Sequence, residues 1–423
     1  MSITWYGKLP ERWEMRTIKS LFHIQKSIAG EEGYDVLSIT QKGIKIKDID
    51  SNQGQMAQSY AKYQFVNVGD FAMNHMDLLT GWVDRSKIFG VTSPDYRVFV
   101  LDDTMQNPDY LLRILQLCYS QRVFYAFGRG AASEGRWRLP RKEFMDFSFP
   151  IPPQIEQDQI VRYLDWKLSQ VNKLINAKRQ QVGLLREHID VLANHAVENP
   201  QSKIRLKHMT ENVRSFIERD NAYVYSPIGV LNRGRGIFHK KQLKGDELGS
   251  SEFFSVEPNT LMFSGQFAWE GAVAITSEKE RNCIASHRYY TIKGLDNICK
   301  TEYLWAFFQT KLGDLILNNC SHGAAGRNKP LNFNELLNEY ISLPSIDIQR
   351  MIASHVRNYM KYRELIKIYE AYILEYRTRL ISDVVTGKLD VRGVAVPQYE
   401  AVEETADDVA EDEEINEETE GEE

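Results

Sequence analysis

The 423-residue chain lacks most of the groups that build metal sites, disulfides and membrane spans. Its four cysteines, Cys118, Cys283, Cys299 and Cys320, stand far apart with no C-x-x-C pair. That excludes the usual zinc ribbon and the usual disulfide scaffold. No run approaches the roughly 18–20 apolar residues of a membrane-spanning helix. The opening MSITWYGKLPERWEMR contains no apolar signal stretch, so a cytoplasmic protein with reduced thiols and no membrane contact is expected.

Catalytic machinery is equally scarce. There is no G-x-x-x-x-G-K-[ST] phosphate loop, no H-E-x-x-H pair and no G-x-S-x-G elbow. No glutamate is followed two residues later by lysine, which removes a common nuclease pairing, and the nine histidines are scattered. The stretch Asn107-Pro108-Asp109-Tyr110 approaches the Asn-Pro-Pro-Tyr motif of amino-group DNA methyltransferases. Its third position is Asp, however, and no glycine-rich cofactor loop precedes it. Asn-Pro is ordinary punctuation at a helix start, and the stretch is read that way.

The formal net charge of −6 conceals two regions of opposite sign. The residues from Glu400 onward carry 14 Asp and Glu and no Lys or Arg, which leaves the rest of the chain with a net charge of +8. A block of like charge with little apolar content is expected to be a solvated, disordered tail. The body is mildly basic.

At an offset of about 190 residues the chain matches itself. PDYLLRILQ (108–116) falls on TEYLWAFFQ (301–309), and RGAASEGRWRL (129–139) on HGAAGRNKPL (322–331). FMDFSFPIPPQIEQDQIVRYL (144–164) falls on FNELLNEYISLPSIDIQRMIASHV (333–356), and VGDFAMNHMDLLTGWV (68–83) on PNTLMFSGQFAWEGAV (258–273). Each copy is therefore a module of short alternating strands with one or two helices, followed by a proline-marked strand and a long helix. The strand-like runs include Phe65–Phe71, Arg97–Leu101 and Arg288–Ile292.

The long helices are expected near 155–197 and 346–388. In the first, Val161, Leu164, Leu168, Val171, Ile175, Lys178, Val182, Leu185, Ile189, Leu192 and Ala196 step by threes and fours, all apolar but Lys178. Such a heptad seam requires a partner helix. The second supplies Ile366, Tyr369, Ile373, Tyr376 and Leu380. Its earlier Ile352, Val356, Tyr359 and Tyr362 contain a three-residue stammer. Mutual antiparallel pairing is the simplest solution, the alternative being that each helix recruits another. A paired rod of about 38 residues would be roughly 57 Å long and would act as a ruler between the modules.

What remains is binding chemistry. Arg129, Ser133, Arg136, Trp137 and Arg138 crowd the first glycine-rich segment; His322, Arg327, Asn328 and Lys329 occupy the matching place in the second. Glycine lets backbone approach a ligand, and arginine grips phosphate or reads guanine edges. A second basic cluster, Asn232, Arg233, Arg235 and Lys240, corresponds to Lys42, Lys45 and Lys47. His75, Gln266, Trp82 and Trp269 belong to the paired strand–turn–strand segments. The tryptophans there read as core rather than as base-stacking groups. Taken singly each cluster is equally a solvated loop, but recurrence in both copies favours a nucleic-acid surface.

These features resemble the specificity subunit (HsdS) of type I restriction–modification systems, over essentially residues 1–396. LPERWEMRTIKSLF, the strand after Gly69-Asp70, IPPQIEQDQI, LPSIDIQRMI and the closing LISDVVTGKLDVR carry the resemblance. It implies an α+β chain with two tandem target-recognition domains, 1–153 and 199–344. They are separated by long spacer helices, 154–198 and 345–390, that form an antiparallel coiled coil; the acidic tail read from composition is placed at 391–423. It further implies a non-catalytic subunit that reads one half of a bipartite double-stranded DNA target with each domain. Two methyltransferase subunits would dock on the helices, and restriction subunits would join them. No cofactor is expected in this chain; S-adenosylmethionine, ATP and magnesium are expected on the partner subunits. The alternative reading is a protein-binding scaffold with two repeated modules. The acidic tail departs from the family pattern.

Overall fold

The computed structural model describes residues 5–49, 57–130, 137–323 and 329–403. It contains two compact units, one built from Met1–Lys173 with Ala371–Glu403 and one from Leu174–Glu370.

The first unit centres on a four-stranded antiparallel sheet in the order β2 (Phe22–Gln25), β9 (Arg97–Leu101), β6 (Phe71–Met73), β7 (Val83–Arg85). Phe22, Phe71 and Phe99 meet on one face with ring centroids 5.2–5.4 Å apart. Onto that face packs α1 (Pro108–Ser120), burying Tyr110, Leu111, Ile114, Leu115 and Cys118. Asn107 starts this helix, its side-chain oxygen accepting from the backbone N–H groups of Asp109 and Tyr110, and Pro108 occupies the first turn. The Asn-Pro-Asp-Tyr stretch is thus a helix cap, with Tyr110 fully buried and its hydroxyl donating to the carbonyl of Pro150 at 2.9 Å. Smaller pieces complete the module: the hairpin β3 (Leu37–Thr40)–β4 (Gly43–Ile46), the pair β5 (Gln64–Val66)–β8 (Gly90–Thr92), and the helix α2 (Arg141–Asp146). Finally β1 (Glu14–Thr17) pairs antiparallel with β10 (Ser148–Ile151), which leads into α3 (Gln154–Glu198).

The second unit repeats the plan. Its sheet runs β12 (Thr210–Asn212), β22 (Tyr289–Gly294), β19 (Leu261–Ser264), β20 (Val273–Ile275), the same strand order as the first. The helix α4 (Thr301–Phe308) is buried along its whole length, and its Tyr303 hydroxyl donates to the carbonyl of Ser342 as Tyr110 does to that of Pro150. The hairpin β15 (Ile228–Leu231)–β16 (Gly236–His239) corresponds to β3–β4, and β11 (Ser202–Arg205)–β23 (Tyr340–Leu343) to β1–β10. The helices α5 (Lys311–Asn319) and α6 (Phe333–Asn338) flank the second glycine-rich segment. The pair β18 (Phe253–Ser255)–β21 (Ile284–Ser286) corresponds to β5–β8, and this copy adds the strand β13 (Ser215–Phe216) and the pair β14 (Val224–Tyr225)–β17 (Leu243–Lys244). After β23 comes α7 (Ile346–Val385).

Each unit contains one half of α3 and one half of α7. Within the second unit the halves are antiparallel, with Arg179 bonded to Glu370 and His188 against His355. The inward positions differ from the apolar heptads. Tyr369 and Tyr376, expected in the seam, are 42 % and 50 % exposed, whereas Ile373 and Leu380 are buried and Ile366 half-buried. The inner face of α7 instead runs Ile352, Val356, Tyr359, Arg363, Ile366, Glu370, Ile373, Arg377, Leu380, Val384, stepping by fours and threes without interruption. No stammer occurs, because Arg363 takes the place assigned to Tyr362. On α3, Leu164, Ile175 and Ile189 are buried and Leu168, Val171, Val182, Leu185 and Leu192 half-buried. Lys178 is exposed, while Arg179 turns inward. A pattern of apolar letters cannot find such a seam, since two of its members are a cation and the carboxylate that neutralises it. Polar seam positions of this kind fix register.

The chain does not leave the body at 391. Val391 is buried, Val394 and Val396 pack on the first core, and the segment to 403 follows α3 as a strap. Gln159 donates to the carbonyls of Val391 and Val394, Ser169 to that of Glu400, and Asn172 to that of Val402, at 2.7–3.0 Å. The expectation of a free tail from 391 is corrected for these residues, whose valines and backbone carbonyls find partners on α3. Residues 404–423 lie outside the described part.

Candidate nucleic-acid interface

In both modules the turn of the strand–turn–strand segment is the hub on which the other predicted loops converge. In the first, the turn 74–81 meets the tip of the β3–β4 hairpin through Gln41, whose amide reaches the Thr80 carbonyl at 3.4 Å. The hairpin is anchored by Asp84 on β7, whose carboxylate accepts from the Ile44 N–H at 2.9 Å. The base of the glycine-rich loop joins the same turn, with the N–H of Leu139 on the His75 carbonyl and that of Leu78 on the Trp137 carbonyl. Arg129 and Arg138 close the loop as a two-residue antiparallel bridge. Trp137 stacks on Tyr125 and donates to its carbonyl at 2.7 Å; a Cβ at Gly128 would stand 2.2 Å from the indole, so only glycine admits the ring.

The second module makes the same connections with different side chains. At the tip of β15–β16, the backbone N–H groups of Arg233 and Gly234 donate to the carbonyls of Glu270 and Gly271, and Asn232 donates to the Glu270 carboxylate at 2.5 Å. The loop base returns through the N–H of Leu331 on the Gly265 carbonyl, the counterpart of Leu139 on His75. Lys329 sits 4.8 Å from the Trp269 ring, a cation–π contact, and Trp269 donates to the Gln266 carbonyl. Two loop-flanking basic residues are matched as well. Arg129 pairs with Glu143 at 2.6 Å and His322 with Glu335 at 2.8 Å.

Hairpin tip, hub turn and loop base are therefore assembled into one surface in each module. Lys42 and Lys45 are exposed on the first hairpin and Lys47 is half-buried; Arg138 and Arg233 are exposed, while Asn232, Arg235, Lys240, Gln266 and Lys329 are half-buried. Ser133, Arg136, Arg327 and Asn328 lie outside the described residues. Arg129 and His322 are exposed, yet each is tied to a carboxylate. Trp82 and Trp269 are half-buried, so neither presents a free stacking face. His75 is half-buried, and burial first, then the neighbouring Arg97 and Arg138 charges, hold its pKa down to about 4. At neutral pH it is an uncharged hydrogen-bonding group.

Sequence reasoning missed Arg97. It is buried in β9, lies 4.6 Å from the Phe144 ring and donates to the Leu139 carbonyl at 3.0 Å, so it carries the loop base from below. Burial lowers its pKa to about 10, which leaves it a cation at any physiological pH. An arginine inside an otherwise apolar strand, RVFVL, was the available signal. Among the described residues no cluster of three or more His, Cys, Asp or Glu could hold a metal, and no helix is long and apolar enough to cross a membrane.

Residues 212–371 match the family model for the type I restriction modification DNA specificity domain. A protein of Methanocaldococcus jannaschii, named for the specificity subunit of the type I restriction enzyme MjaX, is 21 % identical over 291 residues; the match covers 62 % of this chain and 64 % of that protein. The chain thus spans about 64 % of the length of that curated relative. A chain from a structural study of complex assembly and conformational transition in a type I R-M system aligns with a TM-score of 0.57 at 12 % identity, over 90 % of this chain and all of the other. The HsdS subunit of Thermoanaerobacter tengcongensis aligns over 90 % of this chain and 98 % of its own at 12 % identity, with a TM-score of 0.47. Over its second module, this chain is similar to the type I restriction modification DNA specificity domain.

Proposed function

We propose that the chain is a non-catalytic, sequence-specific DNA-binding subunit of a type I restriction–modification complex. Each module reads one half of a bipartite double-stranded target, and the paired helices set the spacer between the halves. The observation that carries this reading is the double construction of one surface. In both modules a hairpin tip and a loop base converge on the turn of a strand–turn–strand segment, while the side chains differ (Lys42, His75 and Arg138 in one; Asn232, Gln266 and Lys329 in the other). A conserved frame with changed side chains is what two different half-sites require, since base edges are told apart by side-chain donors and acceptors.

In this reading two methyltransferase subunits dock on the long helices, and restriction subunits complete the assembly. S-adenosylmethionine, ATP and magnesium act on those partners. Selection from a random duplex library, with the chain co-expressed with its methyltransferase subunit, tests the proposal. Two short motifs at fixed spacing are expected. Recovery of the intact complex with no enriched motif overturns it.

A further inference from the structure

Against the second module, the helix pair forms a cleft of about 360 Å³ whose lining carries six cations. The helices contribute Arg179, Arg186, Arg363 and Lys367, and the β15–β16 tip contributes Arg233 and Arg235; Glu370 is the one carboxylate in the lining. Several of these guanidinium groups are held in place by the fold. Arg186 lies 4.6 Å from the Trp305 ring and donates to the Gln309 side chain at 2.9 Å, with Asp190 beside it at 3.2 Å. Arg363 donates to the carbonyl of Arg235 and reaches that of Gly234, fastening the hairpin tip to the helix. Its approach depends on Gly236, where φ is +101° and a Cβ would stand 2.5 Å from the guanidinium. Glu370 and Asp190 stand against Arg179 and Arg186. Arg233 and Lys367 make no ion pair among the described residues.

The internal repeat provides a control. One repeat away, at Val171, Ile175, Ala371 and Thr378, the positions equivalent to Arg363, Lys367, Arg179 and Arg186 carry no charge at all. The cluster is thus confined to one copy of the duplicated scaffold, and its members Arg233 and Lys367 have no ion-pair role among the described residues. Pre-positioned guanidinium groups with an ammonium at the rim suit phosphate oxygens. The cleft also opens at the hairpin tip that belongs to the candidate DNA surface.

We propose that this cleft binds backbone phosphate of duplex DNA, so that the helix pair contacts the DNA beside the second half-site as well as spacing the modules. The inference rests on the DNA-binding reading above. Phosphate contacts position a duplex without reading its sequence, and each one adds close to one unit to the salt dependence of binding. The test measures affinity of the full chain, with its methyltransferase partner, for target and random duplexes across a salt series. Lys367→Gln should weaken both duplexes by a similar factor, about five- to tenfold at low salt, and reduce the slope of log K on log salt by about 0.9. Lys367→Gln with Arg233→Gln should reduce it further, whereas Lys173→Gln, on an exposed part of α3, should change nothing.

An unchanged slope in both cleft variants, with wild-type binding intact, overturns the cleft assignment and leaves the specificity reading standing. Absence of any duplex binding by the wild type overturns both. A second arm uses millimolar inorganic phosphate alone, at matched ionic strength. If phosphate raises the melting temperature of the wild type but not of Lys367→Gln, and the DNA slope is unmoved, the site takes free phosphate and the duplex assignment is wrong.

Discussion

Gln157 and Gln349 hold the same post in the two modules. The side-chain carbonyl of Gln157 accepts from the backbone N–H of Asn107 at 2.8 Å while its amide donates to the Pro152 carbonyl at 2.9 Å. Gln349 accepts from the N–H of Lys300 at 3.0 Å and donates to the Pro344 carbonyl at 3.0 Å. Both are essentially without solvent contact. Each glutamine therefore ties the start of a module helix to the strand–helix junction that launches a long helix.

Replacing either glutamine by leucine leaves a buried N–H and a buried carbonyl without partners. Each change should lower stability by about 2–3 kcal/mol. The double variant should lose close to the sum, because the two share no partner. Denaturant midpoints measure this; a near-neutral single variant would show that water replaces the amide.

His75 gives the first module a defined pH response. The unfolded imidazole gains a proton below about pH 6.5, whereas the folded one resists protonation until about 4. Stability should therefore be complete above about 6.5 and fall as pH drops through the window between those values. Partial exposure screens the effect to roughly 1–2 kcal/mol. His75→Asn should flatten that part of the stability–pH curve, and denaturation at pH 7 and pH 5 distinguishes the two proteins.

The strap predicts a boundary for truncation. Ending the chain after Glu403 should leave the melting temperature unchanged, since the strap's bonds to Gln159, Ser169 and Asn172 remain. Ending it after Arg392 removes the buried sides of Val394 and Val396 and exposes those polar groups on α3. A loss of about 1–3 kcal/mol is expected, read as a lower melting temperature.

Arg179 and Glu370, 2.8 Å apart on the inner faces of the helices, fix their relative register. Glu370→Gln should destabilise by about 1–3 kcal/mol by removing a carboxylate partner from a half-buried guanidinium, and the exchange Arg179→Glu with Glu370→Arg should restore part of it. Denaturation of the four proteins as a double-mutant cycle isolates the pair.

If the helices set the spacer, adding one heptad to both at the same level should lengthen it by roughly 10 Å, about three base pairs, with both half-sites unchanged. Library selection with the lengthened complex reads this directly, and an altered half-site would sink the idea.

Much of the architecture was legible from the chain. The self-match at about 190 residues identified both helix starts, both glycine-rich segments and both proline-led junctions. Threefold and fourfold steps of Leu, Ile and Val also marked two long helices. Leu164, Ile175, Ile189, Ile373 and Leu380, expected in the seam, are buried, and there burial follows hydrophobicity. The seam was misread at Tyr369 and Tyr376, because a tyrosine in a heptad can face either way and Arg363 and Glu370 competed for the inside. The strap was hidden for a similar reason. Its few valines sit beside an acidic block, and its strongest anchors are backbone carbonyls, which leave no mark in the residue letters.

The sequence by itself determined that the chain is built twice, that it lacks common catalytic motifs and that basic residues recur at matching places, because repetition, motif and charge are written in residue order. Tertiary structure alone decided which of those residues share a surface. It tied hairpin tip and loop base to the turn at 74–81 and again at 265–271, put Arg97 under a loop far from it in sequence, and gathered six cations of the second unit around one cleft. The physical reason is that backbone hydrogen bonds between distant loops, and guanidinium groups packed against rings, arise only once the chain has closed on itself.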